Sequence, residues 1–319
     1  METCCEKIVR NYIDRPVTEV KELTGGHINE TFLIKAEGCY ILQRLCRGLY
    51  TGFLKDIEHN YLQYRKACKM PDAGNEEWYC PEWMRTGEGN FFYSDKDGDI
   101  WRMYRYIEGD AFDERNGTSD IYEAGKGLGR LHSILEGCNG ILRPEPFAHL
   151  HDIDFYYKKY IDLNAPDMIR IEELDRTINK RINEMRSITV PSGSVIHGDA
   201  KVGNMMFKEG KAVCFIDTDT IMPGSVYDDL ADCARSCCID EKGCLDRERL
   251  IFLLRGYVDG CKNRILMADT ELLIKYIEKN RFVLGLRYYT DHLSGEGYFA
   301  EQYSGQNADK AKRLLTSFL

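Results

Sequence analysis

The chain has 319 residues, 43% of them hydrophobic, and a net charge of -9. That composition supports real hydrophobic cores and excludes a disordered chain, while the acidic balance argues against nonspecific nucleic-acid binding and docking on anionic membranes. No apolar run approaches the roughly 20 residues of a membrane span, no signal peptide is read at the N-terminus, and the 13 cysteines are an odd number without paired metal-ligand spacing, which points to reduced thiols in a cytoplasmic protein.

Residues 5–14 read as a short helix. Val17–Leu23, Phe32–Ala36 and Tyr40–Arg44 read as strands, with Glu37-Gly38 as the turn between the second and third. Gly25-Gly26 lies between the first two. Glycine there lets backbone N–H groups approach an anion, although an ordinary hairpin turn has the same composition. Leu54–Lys69 has helical periodicity, with Leu54, Ile57, Tyr61 and Leu62 on one face. Trp83–Thr86, Phe91–Ser94 and Ile100–Ile107 read as an antiparallel meander. Asp95-Lys-Asp-Gly-Asp99 resembles the start of a calcium loop but has Tyr106 where the acidic twelfth residue belongs, so it is read as a hairpin turn.

Beyond this point the pattern turns helical. Ser119 or Asp120 caps a helix over Ile121–Leu135. The glycines at 125, 127 and 129 weaken that helix in isolation and so call for close packing against a neighbour. His132 reads as a buried, hydrogen-bonded histidine. His149 and His151 alternate before a helix at Ile153–Leu163, but no third metal ligand accompanies them. Further helices are expected at 174–188, 248–260, 269–292 and 306–317.

The chemistry concentrates in Val195-Ile-His-Gly-Asp-Ala-Lys-Val-Gly-Asn-Met-Met-Phe207, followed by Cys214-Phe-Ile-Asp-Thr-Asp219. Apolar runs at Met205–Phe207 and Ala212–Ile216 flank a glycine-containing turn and form a hairpin. It holds Asp199, Asn204 and Asp217 near one mouth. Two carboxylates and an amide are oxygen donors suited to Mg2+ and a bound phosphate. In the helix that follows, Asp228 and Asp229 favour its positive end; Asp229 and Asp232 are equally candidates to buttress the loop.

The order His-x-Asp-x-x-x-x-Asn with a later Asp is the spacing of protein kinases. Here Gly198 replaces the kinase arginine, a variant that resembles the aminoglycoside phosphotransferase and choline kinase superfamily. Gly26-His-Ile-Asn-Glu-Thr31, Tyr40-Ile-Leu-Gln43, Ala148-His-Leu-His-Asp152, Asp217-Thr-Asp-Thr-Ile-Met-Pro-Gly-Ser225 and the segment Gly285–Ala300 resemble one branch of it, the N-acetylhexosamine 1-kinases. That branch often has Asn where Gly198 stands.

The resemblance implies an α+β, bilobal protein-kinase-like fold. A β-rich nucleotide-binding lobe spans 1–106. A mostly helical lobe spans 107–319 and carries the hairpin and the acceptor site. It further implies Mg2+ and ATP, with an N-acetylhexosamine phosphorylated on its anomeric hydroxyl. By that resemblance Asp199 is the base, Asn204 and Asp217 hold metal, and Lys201, Arg287 and Tyr298 contact the sugar. Gly25, Gly26, Gln43, Arg44 and the backbone of Tyr104, Tyr106 and Ile107 face the nucleotide. One position departs from the pattern. A cation should end the third strand and reach the phosphates, but Gln43 occupies its register and Arg44 points to the other face. Either Arg44 reaches around through a bulge, or metal and backbone carry the phosphate charge. The rival expectations are a kinase for choline, homoserine or an aminoglycoside, and a pseudokinase.

Overall fold

The computed structural model describes residues 4–23, 29–46, 52–69, 77–112, 117–143, 147–240, 242–261 and 269–317. Its N-terminal part is a five-stranded antiparallel sheet in the order β1-β2-β3-β5-β4. The strands are β1 (Glu19–Leu23), β2 (Glu30–Ala36), β3 (Gly38–Leu45), β4 (Phe92–Ser94) and β5 (Ile100–Arg105). Side chains alternate between the two faces of each strand. Tyr40, Leu42, Trp101 and Met103 pack against α1 (Cys4–Val9) and the residues after it, through Ile8, Val9 and Tyr12. On the other face, Ile41, Leu45 and Tyr104 meet Ile57 and Tyr61 of α2 (Leu54–Cys68), together with Phe147, Ile196 and Met222 from later in the chain. The same alternation puts Gln43 and Arg102 on this second face as direct cross-strand partners. The expected strand at Trp83–Thr86 reduces to a single bridge, Trp83 to Tyr104. It shares the edge of β5 with β4 and pairs only through Met84 N to Met103 O at 2.8 Å and Arg105 N to Glu82 O at 3.0 Å.

The rest is mostly helical: α3 (Thr118–Leu135), α4 (Ile153–Asp162), α5 (Glu172–Ser187), α6 (Val226–Cys237), α7 (Arg247–Gly260), α8 (Thr270–Ser294) and α9 (Gln306–Thr316). Asp152, Asp246 and Asp269 cap α4, α7 and α8 by accepting two backbone N–H bonds each, and Ser225 with Asp228 forms a capping box on α6. The start of α3 differs from expectation. It begins after Gly117 with no side-chain cap, and Ser119 and Asp120 lie inside its first turn.

The glycines of α3 have a tertiary cause. A Cβ on Gly125 would sit 1.9 Å from Leu253 O, and one on Gly256 of α7 would sit 1.9 Å from Tyr122 O. The two helices therefore touch backbone to backbone, and the close contact offsets the roughly 1 kcal/mol that each glycine costs a helix interior relative to alanine. Two small sheets lie beneath the cleft: β6 (Ser194–Ile196) pairs with β9 (Met222–Gly224), and β7 (Met205–Lys208) with β8 (Lys211–Phe215). The 13 cysteines are all free thiols. The result is the two-part, kinase-like α+β architecture that the sequence leads one to expect. Among the described residues no helix is long and apolar enough to cross a membrane.

Candidate active site

The loop from His197 to Asn204 connects β6 to the β7–β8 hairpin, and its shape follows from hydrogen bonds to three neighbours. Asp229 on α6 accepts from the backbone N–H of His197 at 2.7 Å and of Gly198 at 2.8 Å. The fully buried His197 ring donates from Nε2 to Ile216 O at 3.0 Å and accepts from Asp199 N at Nδ1, 3.3 Å away. Thr220 donates its hydroxyl to His197 O at 2.7 Å. Asn204 N-caps nothing; its Nδ2 donates to both Asp199 O and Asp199 Oδ2 at 2.8 Å. Of the two expected buttresses, Asp229 is the one used, whereas Asp232 pairs with Arg235 at 2.5 Å. Asp217 leaves β8 in a left-handed conformation with φ 60°, uncommon for a residue with a side chain and typical of strained functional positions.

Gly198, Asp199, Asn204, Asp217 and Thr220 line one cleft of about 580 Å³ together with Lys201, Asp219, Gln43, Thr31 and Tyr104. Its electrostatics are uneven. Burial works to raise the Asp199 carboxyl, but the Lys201 ammonium 2.7 Å away, with His197 and Asn204, holds it well below the usual carboxylate range. Asp217 goes the other way. Burial, then the charges of Asp219 and Asp199, push it up to about 6. A recessed carboxylate crowded by two others is a place where a cation is favourable. With Asn204 Nδ2 committed to Asp199, its Oδ1 is the end left to ligate. Among the described residues no group of three or more His, Cys, Asp or Glu side chains forms a metal cage. Mg2+ takes one or two protein ligands and completes its shell with phosphate and water. Asn204 and Asp217 therefore fit such an ion.

Of the residues expected to face the nucleotide, Gln43 and Tyr104 line the cleft and Arg44 does not. Arg44 pairs with Glu30 and, at 3.5 Å, with Asp99 on the α1 face, so no bulge carries it around. Gly25 and Gly26 lie outside the described residues. Tyr106 is 40% exposed, and its N–H is taken by Cys39 O at 3.0 Å. The sheet uses that donor, so the Tyr106 N–H is not free for adenine. Arg102 was missed. Its guanidinium lies directly beneath Gln43 and pairs with Asp219. The signal was an inward-phase arginine at i−2 from Tyr104 in an otherwise apolar strand.

At the other end, Arg287 of α8 donates to Tyr298 OH at 3.3 Å. Its guanidinium stands 5.1, 5.7 and 5.4 Å from the rings of Tyr156, Tyr298 and Phe299. Arg287, Tyr298 and Lys201 thus border the same cleft as Asp199. The two nearby histidines part company: His149 stacks on Phe155 near the surface, while His151 Nε2 donates to Gly198 O at 3.0 Å.

Fold and cleft together define a small-molecule phosphotransferase. The chain belongs to the phosphotransferase enzyme family, whose sequence profile matches residues 19–258. Among solved structures it is similar to the amicoumacin kinase hAmiN in complex with AMP-PNP, Ca2+ and Ami, with a TM-score of 0.65, 13% identity and coverage of 98% of this chain and 94% of that one. It is also similar to spectinomycin phosphotransferase APH(9)-Ia in complex with ADP and spectinomycin, with a TM-score of 0.57, 15% identity and coverage of 97% and 92%. The GDP and kanamycin complex of APH(2")-IIia gives a TM-score of 0.65 at 13% identity, with 96% of each chain covered. At such identities the likeness is one of fold.

Proposed function

We propose that the protein transfers the γ-phosphoryl group of ATP to the anomeric hydroxyl of an N-acetylhexosamine, giving the sugar 1-phosphate and ADP. Asp199 accepts the hydroxyl proton as the sugar oxygen bonds to phosphorus and the bond to the β-phosphate oxygen breaks. A carboxylate held so far down is a weak base. That is sufficient for an anomeric hydroxyl, which is more acidic than an ordinary alcohol, and for a loose transition state in which positioning and charge matter most. Lys201 keeps Asp199 ionised and lies where the transferred charge passes. Asn204 and Asp217 would hold Mg2+, which neutralises phosphate charge when bound with the nucleotide.

The observation that carries the acceptor class is the setting of Arg287. A choline site needs an aromatic cage open to a cation; here the cage of Tyr156, Tyr298 and Phe299 is filled by the protein's own guanidinium. Lys201 and Arg235 border the same cleft but are paired with Asp199 and Asp232, so Arg287 is the charge that a polycationic aminoglycoside meets. What remains complementary is a neutral acceptor rich in hydroxyl and carbonyl oxygens, which an arginine fork and a phenol bind directionally.

The test is ADP release with Mg-ATP over GlcNAc, GalNAc, their 1-O-methyl glycosides, choline, homoserine and kanamycin. Turnover of a free hexosamine and none of its methyl glycoside is expected. Equal phosphorylation of the methyl glycoside puts the phosphate elsewhere on the ring. Turnover of choline, homoserine or kanamycin alone overturns the sugar reading.

A further inference from the structure

On the cleft face of β3, the side chain directed toward the phosphate end is Gln43, which is neutral. Directly across the β3–β5 pairing stands Arg102, 1% exposed. One arm of its guanidinium, Nη2, donates to Gln43 Oε1 at 2.6 Å. The other pairs with Asp219, itself 2% exposed. The guanidinium lies 4.4 Å from the centre of the Trp83 ring, which fixes its plane.

Two consequences follow. With Oε1 engaged by Arg102, the Gln43 amide has only one orientation: Nε2, the donor end, is turned toward Thr31 Oγ1 at 3.5 Å. Gln43 and Thr31 both border the cleft, so the wall there presents the Gln43 amide N–H groups, held from behind by a guanidinium whose charge Asp219 balances. Asp219 borders the same cleft from the turn after β8, so the pair also ties the sheet to the segment that carries Asp217. Stability alone is a weak reason for such a pair, because apolar replacements of buried ion pairs are often neutral or stabilising.

We infer that Arg102 is a positioning residue for phosphoryl transfer, holding Gln43 from β5 with its N–H groups toward the nucleotide phosphates. This rests on the reading of the cleft as a nucleotide site. Arg102 lies one layer below the cleft wall and acts through its charge-assisted hydrogen bond to Gln43 Oε1.

The test removes both buried charges together, in Arg102→Gln/Asp219→Asn, so that neither is left unpaired. Melting temperature, Mg-ADP affinity by calorimetry, and the KM values for ATP and acceptor are measured. The double variant is expected to fold, to bind Mg-ADP about 10-fold or more weakly, as befits loss of a charge-assisted contact, and to keep its acceptor KM within about 3-fold. Adding Gln43→Lys moves the cation to β3 and is expected to restore Mg-ADP binding to within about 3-fold of wild type. A purely structural role for Arg102 has no reason to be rescued in this way. The inference is overturned if the folded double variant binds Mg-ADP like wild type, if it weakens nucleotide and acceptor equally, or if Gln43→Lys restores nothing. Should the double variant not fold, Arg102→Lys decides: it keeps the charge, so nucleotide affinity within about 3-fold supports the inference and a loss beyond about 10-fold overturns it. Wild type that binds neither Mg-ADP nor Mg-GDP sinks the nucleotide reading itself, and this inference with it.

Discussion

His132 Nε2 on α3 donates to Asp229 Oδ2 on α6 at 2.9 Å, with both side chains buried. The other ring nitrogen meets Tyr257 OH of α7 at 2.9 Å. Burial works to raise the Asp229 carboxyl, but His132, then His197, hold it below its ordinary range. Because Asp229 also accepts the N–H groups of His197 and Gly198, this one carboxylate ties the start of the loop that carries Asp199 to the helical core. The glycine-mediated contact of α3 with α7 sets His132 against Tyr257.

Asp229→Ala leaves three donors without their acceptor. It is expected to destabilise the protein by about 3–5 kcal/mol, the range for removing one partner of a buried charged network, and to abolish most turnover. Asp229→Asn keeps one acceptor oxygen and should lose less. Urea unfolding measures both. An Asp229→Ala variant within about 1 kcal/mol of wild type contradicts the tethered-loop account.

Gly198 has φ 86°, and a Cβ there would lie 2.6 Å from Thr220 O. Thr220 is held to His197 O by its own hydroxyl, so neither side yields easily. Gly198→Ala and Gly198→Asn should each cost about 1–3 kcal/mol and reduce kcat, read from melts and steady-state rates. An Asn here thus requires a different backbone at this position. Wild-type stability in Gly198→Asn shows that the loop adapts.

Asp217→Asn should abolish turnover with the fold intact, because it removes the anion proposed to hold Mg2+. The pH dependence gives an independent readout. The folded carboxyl titrates near 6, against about 4 in an unfolded chain. Between those values the folded protein keeps a proton that the unfolded chain has lost, so stability without metal falls as pH rises through the window. The stability of Asp217→Asn relative to wild type should therefore rise from about pH 4 to 6 and level off above. A difference that does not change with pH refutes the crowded-carboxylate account.

Arg44→Ala should leave Mg-ADP affinity within about 2-fold, because the side chain pairs with Glu30 and Asp99 away from the cleft. Half-exposed pairs of this kind contribute about 0–1 kcal/mol, so the melt should move little as well. Calorimetry that shows severe loss of nucleotide binding contradicts the strand register.

The hairpin and its spacing were legible in the sequence because they are local. Apolar runs around Lys208-Glu-Gly-Lys211 dictate a turn, and folding the chain between Asp199 and Asp217 back on itself as a hairpin returns the two to one end. The helices were legible for the same reason, since their periodicity is written within each segment. Alternation along β3 likewise put Gln43 and Arg44 on opposite faces. Other features depend on which distant elements meet. Arg102 becomes relevant to the phosphate end only when β5 pairs with β3 in one register and the turn after β8 brings up Asp219, 117 residues away. Asp229 was separable from Asp232 only once α6 had docked under the loop. The caging of Arg287 by Tyr156 needed α4 to pack beside α8. In each case a side chain acquires its role from a partner that chain folding, and no local pattern, brings within reach.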